Sequence, residues 1–407
     1  MLLMFLIKNF RTAFVVALLL PLTVNASFIE STIGAAVVDD ATATYYNPAA
    51  LTLLKNPQII TLGTIAYFHS QFTGQAIQAK TGFTQSGTTN SQTHYYLPSA
   101  YFGVPTTDKI FLGVAVIANS FNRDTEQNSV LRYVQSNNSI QNIDLVPAIG
   151  IKFNDRLSFG AGLNLSRANF LLKPTSGFST LHIPDAQSRN ESSGNAVGGD
   201  VGVLLKPISA TVIGFNYRSS MTYRLSGKSV LEGNPDIISE HYFFNFWTPA
   251  RYVLSINQFV NRTRGFIGTV QWVKWDIFDK INIHGIATKI GTQSIIIPNA
   301  TVPYHLHNSW VFTLGSHYRM TPKWVIRAAS SYLQSPGNGN YQITNGDSII
   351  LGTSMGYEIF KHFVIDGSYA HAFIKNKNIN ITSGRNTING INKGFRDSIS
   401  LKLTFNL

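Results

Sequence analysis

The sequence predicts an all-β fold, a 14-stranded antiparallel transmembrane β-barrel plugged by a short N-terminal hatch. Three observations carry that expectation. Charged residues are 13% of the chain and aromatic residues 12%, whereas a water-soluble domain carries about 25% charge, so much of the surface is expected to face something other than water. Segment after segment alternates apolar residues with polar or small ones at a period of two, the repeat of a strand whose faces lie in different environments. Between these segments short and long connections alternate without exception, the order of periplasmic turns and outer loops in an outer-membrane barrel.

Residues 1–26 read as a secretory signal peptide. Lys8 and Arg11 precede the apolar run 13–22, and Val24-Asn25-Ala26 forms an A-x-A-like end that predicts cleavage before Ser27. No later apolar run approaches the roughly 20 residues of a membrane helix. Residues 27–57 form the expected hatch and 58–407 the barrel. Within the hatch, Asn47 is a favoured helix N-cap, Pro48 suits the first helical position, and Ala49, Ala50 and Leu51 can continue a turn or two.

The strands follow in order. One runs from Gln58 to His69, a second puts Tyr96, Pro98, Ala100, Phe102 and Val104 on one side, and a third, 110–118, is apolar on both faces, as packing against the hatch would require. The alternation is clearest at Leu157, Phe159, Ala161, Leu163 and Leu165, which oppose Ser158, Gly160, Gly162, Asn164 and Ser166. It recurs to the C-terminus, where Ile399, Leu401, Leu403 and Phe405 oppose Ser398, Ser400, Lys402 and Thr404. Tight turns are expected near Pro105, Asn154, Pro207, Asn261, Thr321 and Lys361, and seven long polar loops between the other segments, with 80–92 the most mobile. Tyr and Trp near the segment ends, among them Tyr101, Trp272, Trp310 and Trp324, suit interfacial girdles.

Asp39-Asp40-Ala41 followed by Asn47-Pro48-Ala49 resembles the hatch signature of the long-chain fatty-acid transporter (FadL) family of bacterial outer membranes. The resemblance continues through VPAIGIKFNDRLSFGAGLNLS, TPARYVLSINQFVNRTRGFIGTVQWVKWD and DSIILGTSMGYEIFKHFVIDGSYAHAF, and covers nearly the whole chain after the leader. It implies passive uptake of long-chain fatty acids or similar hydrophobic compounds. Substrate would be caught outside, held over a hatch marked by Asp39, Asp40, Asn47, Pro48 and Ala49, and released sideways near the third strand. Asn119 and Ser120, where the third strand's apolar run ends, are the expected site of that lateral kink. The chain is expected to act as a monomer among outer-membrane lipid and lipopolysaccharide.

The remaining candidates are weighed by chemistry. HYFFNFW holds Phe243, Phe244, Phe246 and Trp247, and two readings stay open: capture of an apolar ligand, or packing of a loop over the barrel mouth. Arg167 and Lys173, at the outer end of the fifth strand, are candidate partners for a carboxylate head group. Gly352-Thr353-Ser354-Met355-Gly356 matches a hydrolase elbow, but lies within a regular strand instead of a strand-to-helix turn. His305, His307 and His317 lack the companions of a zinc site, so no metal, cofactor or catalytic residue is expected. Net charge is +12, yet the basic residues are scattered, which argues against nucleic acid. Two other classes remain: an outer-membrane lipid-modifying enzyme, which needs a catalytic constellation at the rim, and a general porin or adhesin, which needs no plug.

Overall fold

The computed structural model describes residues 34–78, 83–126, 129–135, 137–178, 183–233, 237–290, 292–383 and 386–407. The expected signal peptide, its cleavage point and residues 27–33 of the hatch lie outside the described residues. After the hatch come β1 (Gln58–Gln78), β2 (Phe83–Pro105), β3 (Ile110–Thr125), β4 (Asn137–Lys152), β5 (Leu157–Lys173), β6 (Thr175–Phe178), β7 (Ile183–Ile208), β8 (Thr211–Arg218), β9 (Met221–Leu231) and β10 (Ile237–Thr248). The chain continues through β11 (Ala250–Phe259), β12 (Arg264–Lys274), β13 (Lys280–Ile290), β14 (Gln293–Pro303), β15 (Ser309–Arg319), β16 (Trp324–Leu333), β17 (Ser348–Phe360), β18 (Phe363–Ser383) and β19 (Asn386–Asn406).

Fourteen of these close an antiparallel barrel: β1–β5, β7, β8, β11, β12 and β15–β19. β1 pairs with β19 along its whole length, from Gln58↔Asn406 to Gln78↔Asn386, so the wall has no open edge at its seam. Lipid cannot satisfy an exposed amide, and closure removes that cost. The alternation sets the faces as expected: Leu163 and Leu401 point outward, 45% and 52% exposed, while Asn164 and Lys402 point inward and are buried. Leu401→Arg is therefore expected to cost about 2–4 kcal/mol, read as a lower urea midpoint for the protein in micelles.

The tight turns fall where expected, and Thr107, Asn154, Asn261 and Thr321 each bridge theirs with a short side chain. Asn154 Oδ1 accepts from the Arg156 and Leu157 amides, and Asn261 Oδ1 from those of Thr263 and Arg264. Such local acceptors replace the ladder partners that a turning backbone loses.

Two expectations about the outside need correction. Most of the long connections are not loops, because the wall strands continue past the apolar band. β1 and β2 stay paired to Gln78↔Phe83, which makes 83–92 strand, although 80–82 lie outside the described residues. Polar rungs such as Gln71 with Asn90 and Thr73 with Thr88 hold this extension, so pairing outlasts the apolar pattern that revealed the strand. β9, β10, β13 and β14 likewise form hairpins. Tyr101 is not a girdle residue: it faces inward and is 1% exposed, since its neighbours Ala100 and Phe102 take the lipid side.

Candidate functional site

The described hatch is compact because its residues are small. A 3-10 turn at Ala35–Val37, one α-turn at Ala43–Tyr46 and a 3-10 helix at Pro48–Leu53 pack Ala36, Ala41, Ala43, Ala49 and Ala50 without exposed surface. Asn47 is the hub. Its Oδ1 caps the last helix by accepting from Ala49 N at 3.2 Å, while Nδ2 donates to Ala36 O at 2.7 Å and to Val203 O of the wall at 3.3 Å. Pro48 takes the first helical position, where no amide is missed.

The wall receives this plug on a belt of glycines. Gly103 and Gly113 face each other across β2 and β3, and Gly150, Gly160 and Gly202 across β4, β5 and β7; Gly214 on β8 continues the belt. A Cβ at Gly113 would strike Thr44, one at Gly160 the backbone of Pro48 and Ala49, one at Gly202 the Asn47 side chain, and one at Gly214 the Ala36 carbonyl. At Gly160 and Gly214 backbone therefore lies on backbone, which only hydrogen side chains permit. The period-two pattern marks these glycines as inward-facing, yet no local signal tells what they accommodate.

Two lumen cations also tie the plug, Lys402 of β19 and Arg218 of β8. Lys402 Nζ donates to Asp40 Oδ2 at 3.0 Å, and Thr42 N donates to Asp40 Oδ1 at 3.0 Å. Burial pushes the Asp40 carboxyl up, but the Lys402 ammonium and the Thr42 hydrogen bonds outweigh it and hold the group below its ordinary 3.8. Arg218 lies 3.6 Å over the Tyr45 ring, donates to the Tyr45 carbonyl, and pairs with Asp200 at 3.8 Å. Asp39 is exposed and Asp40 alone of the two carboxylates meets a wall lysine.

Above the plug the lumen is lined by an apolar cluster. Phe68, Leu97, Phe121 and Phe170 from the wall join Tyr223 of β9, Tyr242, Phe244 and Phe246 of β10, and Trp275 and Phe278 beyond β12. Phe170 stands edge-on to Phe246 with centroids 4.9 Å apart. HYFFNFW is thus strand, not loop, and its alternation splits the expected binding residues. Phe244 and Phe246 are buried in the cluster, and Trp247 packs against it in part. Phe243 faces the other way, stacked on His284 at 4.2 Å with Arg224 over its ring.

Arg167 and Lys173 also need correction. Both share the odd-numbered, outward face of β5 with Leu163 and Leu165, and Arg167 bonds Asn195 outside. The structure does not bring either to the cluster. Two inward arginines that sequence reasoning passed over stand near it instead: Arg123 of β3, buried, and Arg396 of β19, half-buried and paired across the ladder with Phe68. Counting by two from Ile117 through Asn119 and Phe121 would have reached Arg123, had the strand not been ended at Ala118.

β3 runs unbroken through Asn119 and Ser120, still paired with β4. Its ladder to β2 lapses there: Tyr96↔Ser120 and Ser99↔Ile117 pair, but the two rungs between do not. Pro98 supplies the reason, since it has no amide hydrogen to give. Asn119 Oδ1, buried beside this gap, has no partner among the described residues. Ser354 sits inside the β16–β17 ladder opposite Arg327, not on an elbow. His305 pairs with Asp279, and His317 stands edge-on to Phe259.

Comparison with known proteins follows the same lines. A family model described as outer membrane protein transport protein (OMPP1/FadL/TodX) matches residues 32–401. A putative outer membrane protein, NMB0088 of Neisseria meningitidis serogroup B, is 24% identical over 181 residues, which span 40% of this chain and 39% of that relative's length. Among solved structures, a Pseudomonas aeruginosa FadL homologue superposes with a TM-score of 0.80 at 19% identity, covering 92% of this chain and 96% of that one. The Pseudomonas putida toluene transporter TodX gives 0.67 at 14% identity, covering 93% and 97%, and the Ralstonia pickettii toluene transporter TbuX gives 0.64 at 17%, covering 93% and 98%.

Proposed function

Since the chain belongs to the OMPP1/FadL/TodX family of outer-membrane transport proteins, we propose that it passes long-chain fatty acids or similar hydrophobic compounds inward, without an energy source and without catalysis. The carrying observation is the apolar cluster lying over a plug that is itself fitted to the wall. Polar lipopolysaccharide repels apolar solutes and a water-filled bore gains them nothing, whereas apolar sites in series offer a path. In this reading substrate enters among Phe170, Tyr242, Phe244 and Phe246, the plug shifts, and the molecule leaves sideways where the β2–β3 ladder lapses at Pro98, with Asn119 and Ser120 on its edge. Sideways exit delivers an apolar solute to the membrane without a passage through water.

The test is uptake of labelled oleate and of toluene by cells lacking the protein, with and without its expression, alongside mass spectrometry of lipids that co-purify. Uptake of at least one compound is expected to rise with expression and to survive Ser354→Ala. No gain for either compound sinks the reading; loss of function on Ser354→Ala favours an enzyme. Removal of the hatch is expected to open the barrel to ions, whereas a general porin would conduct equally with and without it.

A further inference from the structure

On its lipid-facing side the barrel has one stretch of wall that is neither even nor wholly apolar. Across β12, β15, β16, β17 and β18 the ladders run Phe266↔Ser316, Ser316↔Ala328, Ala328↔Thr353 and Thr353↔Tyr369. Phe266 and Tyr369 point outward, 61% and 46% exposed, and the three residues between them are small. Thr353 spends its hydroxyl on the wall, donating to Arg327 O at 3.0 Å. A row with large ends and a small middle is a groove. Leu314, Leu351 and Phe373, all outward, lengthen it, and its volume is about 630 Å³, within the roughly 300–1,000 Å³ of a specific ligand site.

Polar groups stand at one end of this groove. His371 pairs across the ladders with Leu351 on one side and Asp397 on the other, and the row continues through Tyr67 to His94. Asp397 Oδ1 accepts from the Tyr369 hydroxyl at 2.7 Å and lies 2.7 Å from His371 Nδ1. Tyr369 and His371 both line the groove. On β19 Asp397 shares its outward face with Ile399 and Leu401, the start of the apolar band. An ionisable group on a lipid-facing wall is costly, and its retention marks a site. Lys393, two outward positions further toward the long hairpins, and Lys375, in the bulge of β18, are exposed and bring positive charge to the same end. Short turns face the periplasm in such barrels, so this end lies in the outer leaflet.

From this juxtaposition we propose that the groove is a fixed seat for one phosphorylated glycolipid of the outer leaflet, the lipid A class of lipopolysaccharide. An acyl chain lies between Phe266 and Tyr369 over Ser316, Ala328 and Thr353; sugar hydroxyls and amides meet Tyr369, His371 and Asp397; phosphate meets Lys375 and Lys393. The occupant is a lipid because the groove opens into the apolar band. It carries phosphate because two lysines and a basic chain, net +12, complement an anion. It carries a sugar because Asp397 needs donors beside it and would repel a bare phosphodiester pressed against it. The seat is independent of what the lumen carries.

Native mass spectrometry of the full-length protein in non-ionic detergent, which counts bound lipids, tests the seat. The probes are diphosphoryl lipid A, and phosphatidylglycerol and phosphatidylcholine with chains of equal length. Wild type is expected to hold one diphosphoryl lipid A about tenfold or more tighter than either phospholipid, the gain of charge-assisted bonds. Ala328→Phe fills the floor and should abolish that preference. Ala161→Phe, the same change on the outward face of β5, should leave it intact. Both variants turn an apolar ring toward lipid, and heat-modifiable gel mobility checks that they fold. Lys375→Gln with Lys393→Gln should weaken lipid A and leave phosphatidylcholine unchanged. Equal binding of the three lipids by wild type, or wild-type binding of lipid A by Ala328→Phe or by the glutamine pair, overturns the proposal. A dimer free of lipid would put a second copy on this face and overturn it as well.

Discussion

Replacing Gly160 by leucine is expected to lift the plug from its seat and convert a closed barrel into a leaking one. The new side chain would point at the backbone of Pro48 and Ala49, which cannot rotate aside as a flexible side chain would. Overpacking costs about 1–3 kcal/mol where neighbours can yield, and here the neighbour is the capped start of a helix held by Asn47. The cheaper response is to move the plug and leave the wall intact, because the β4–β5 and β5–β7 ladders secure Gly160 on both sides. Ion conductance in planar bilayers should rise well above wild type. Gly63→Leu is the control, since a Cβ there meets nothing within 4 Å. A Gly160→Leu protein that stays as tight as wild type would refute the seat.

A comparable effect is expected from Lys402→Met. It leaves the Asp40 carboxylate in a part-buried site with its counter-charge gone, a change worth about 3 kcal/mol when one partner of a buried pair is removed. Asp40→Asn combined with Lys402→Met should recover most of the loss, because no lone charge then remains. Acid should imitate the single variant. The Asp40 pKa is lowered on folding, so its contribution is complete above the ordinary carboxylate value and disappears as pH falls through the lowered one. Conductance of wild type should therefore climb below about pH 4, and the double variant should not share that rise. Identical pH profiles for the two proteins would show that the pair does not hold the plug.

How much of this was legible in the sequence depended on how strictly a period of two was followed. Leu163 and Leu401 could be placed outward because their neighbours are polar or small, and the closing of the barrel followed from the order of turns. The same rule fails where both faces carry similar chemistry. Past Ala118 the pattern turns polar, so β3 looked finished although Phe121 and Arg123 keep its inward face. In HYFFNFW aromatic side chains occupy both faces, and only strand geometry separates Phe243 from Phe244 and Phe246. Arg167 was misplaced for the opposite reason: its position at the outer end of β5 suggested a pocket, while its odd number already put it with the leucines. The glycine belt was visible as spacing, but what it fits lies far away in the chain, in a hatch that precedes every strand.

Lys402 belongs to the last strand, the one that zips against the first to seal the cylinder. A half-assembled wall can cradle the alanines with its early strands, yet it has nothing to grip Asp40 until the C-terminus arrives. Completion of biogenesis and locking of the stopper are thus a single event, and a truncated or stalled chain is left unlatched.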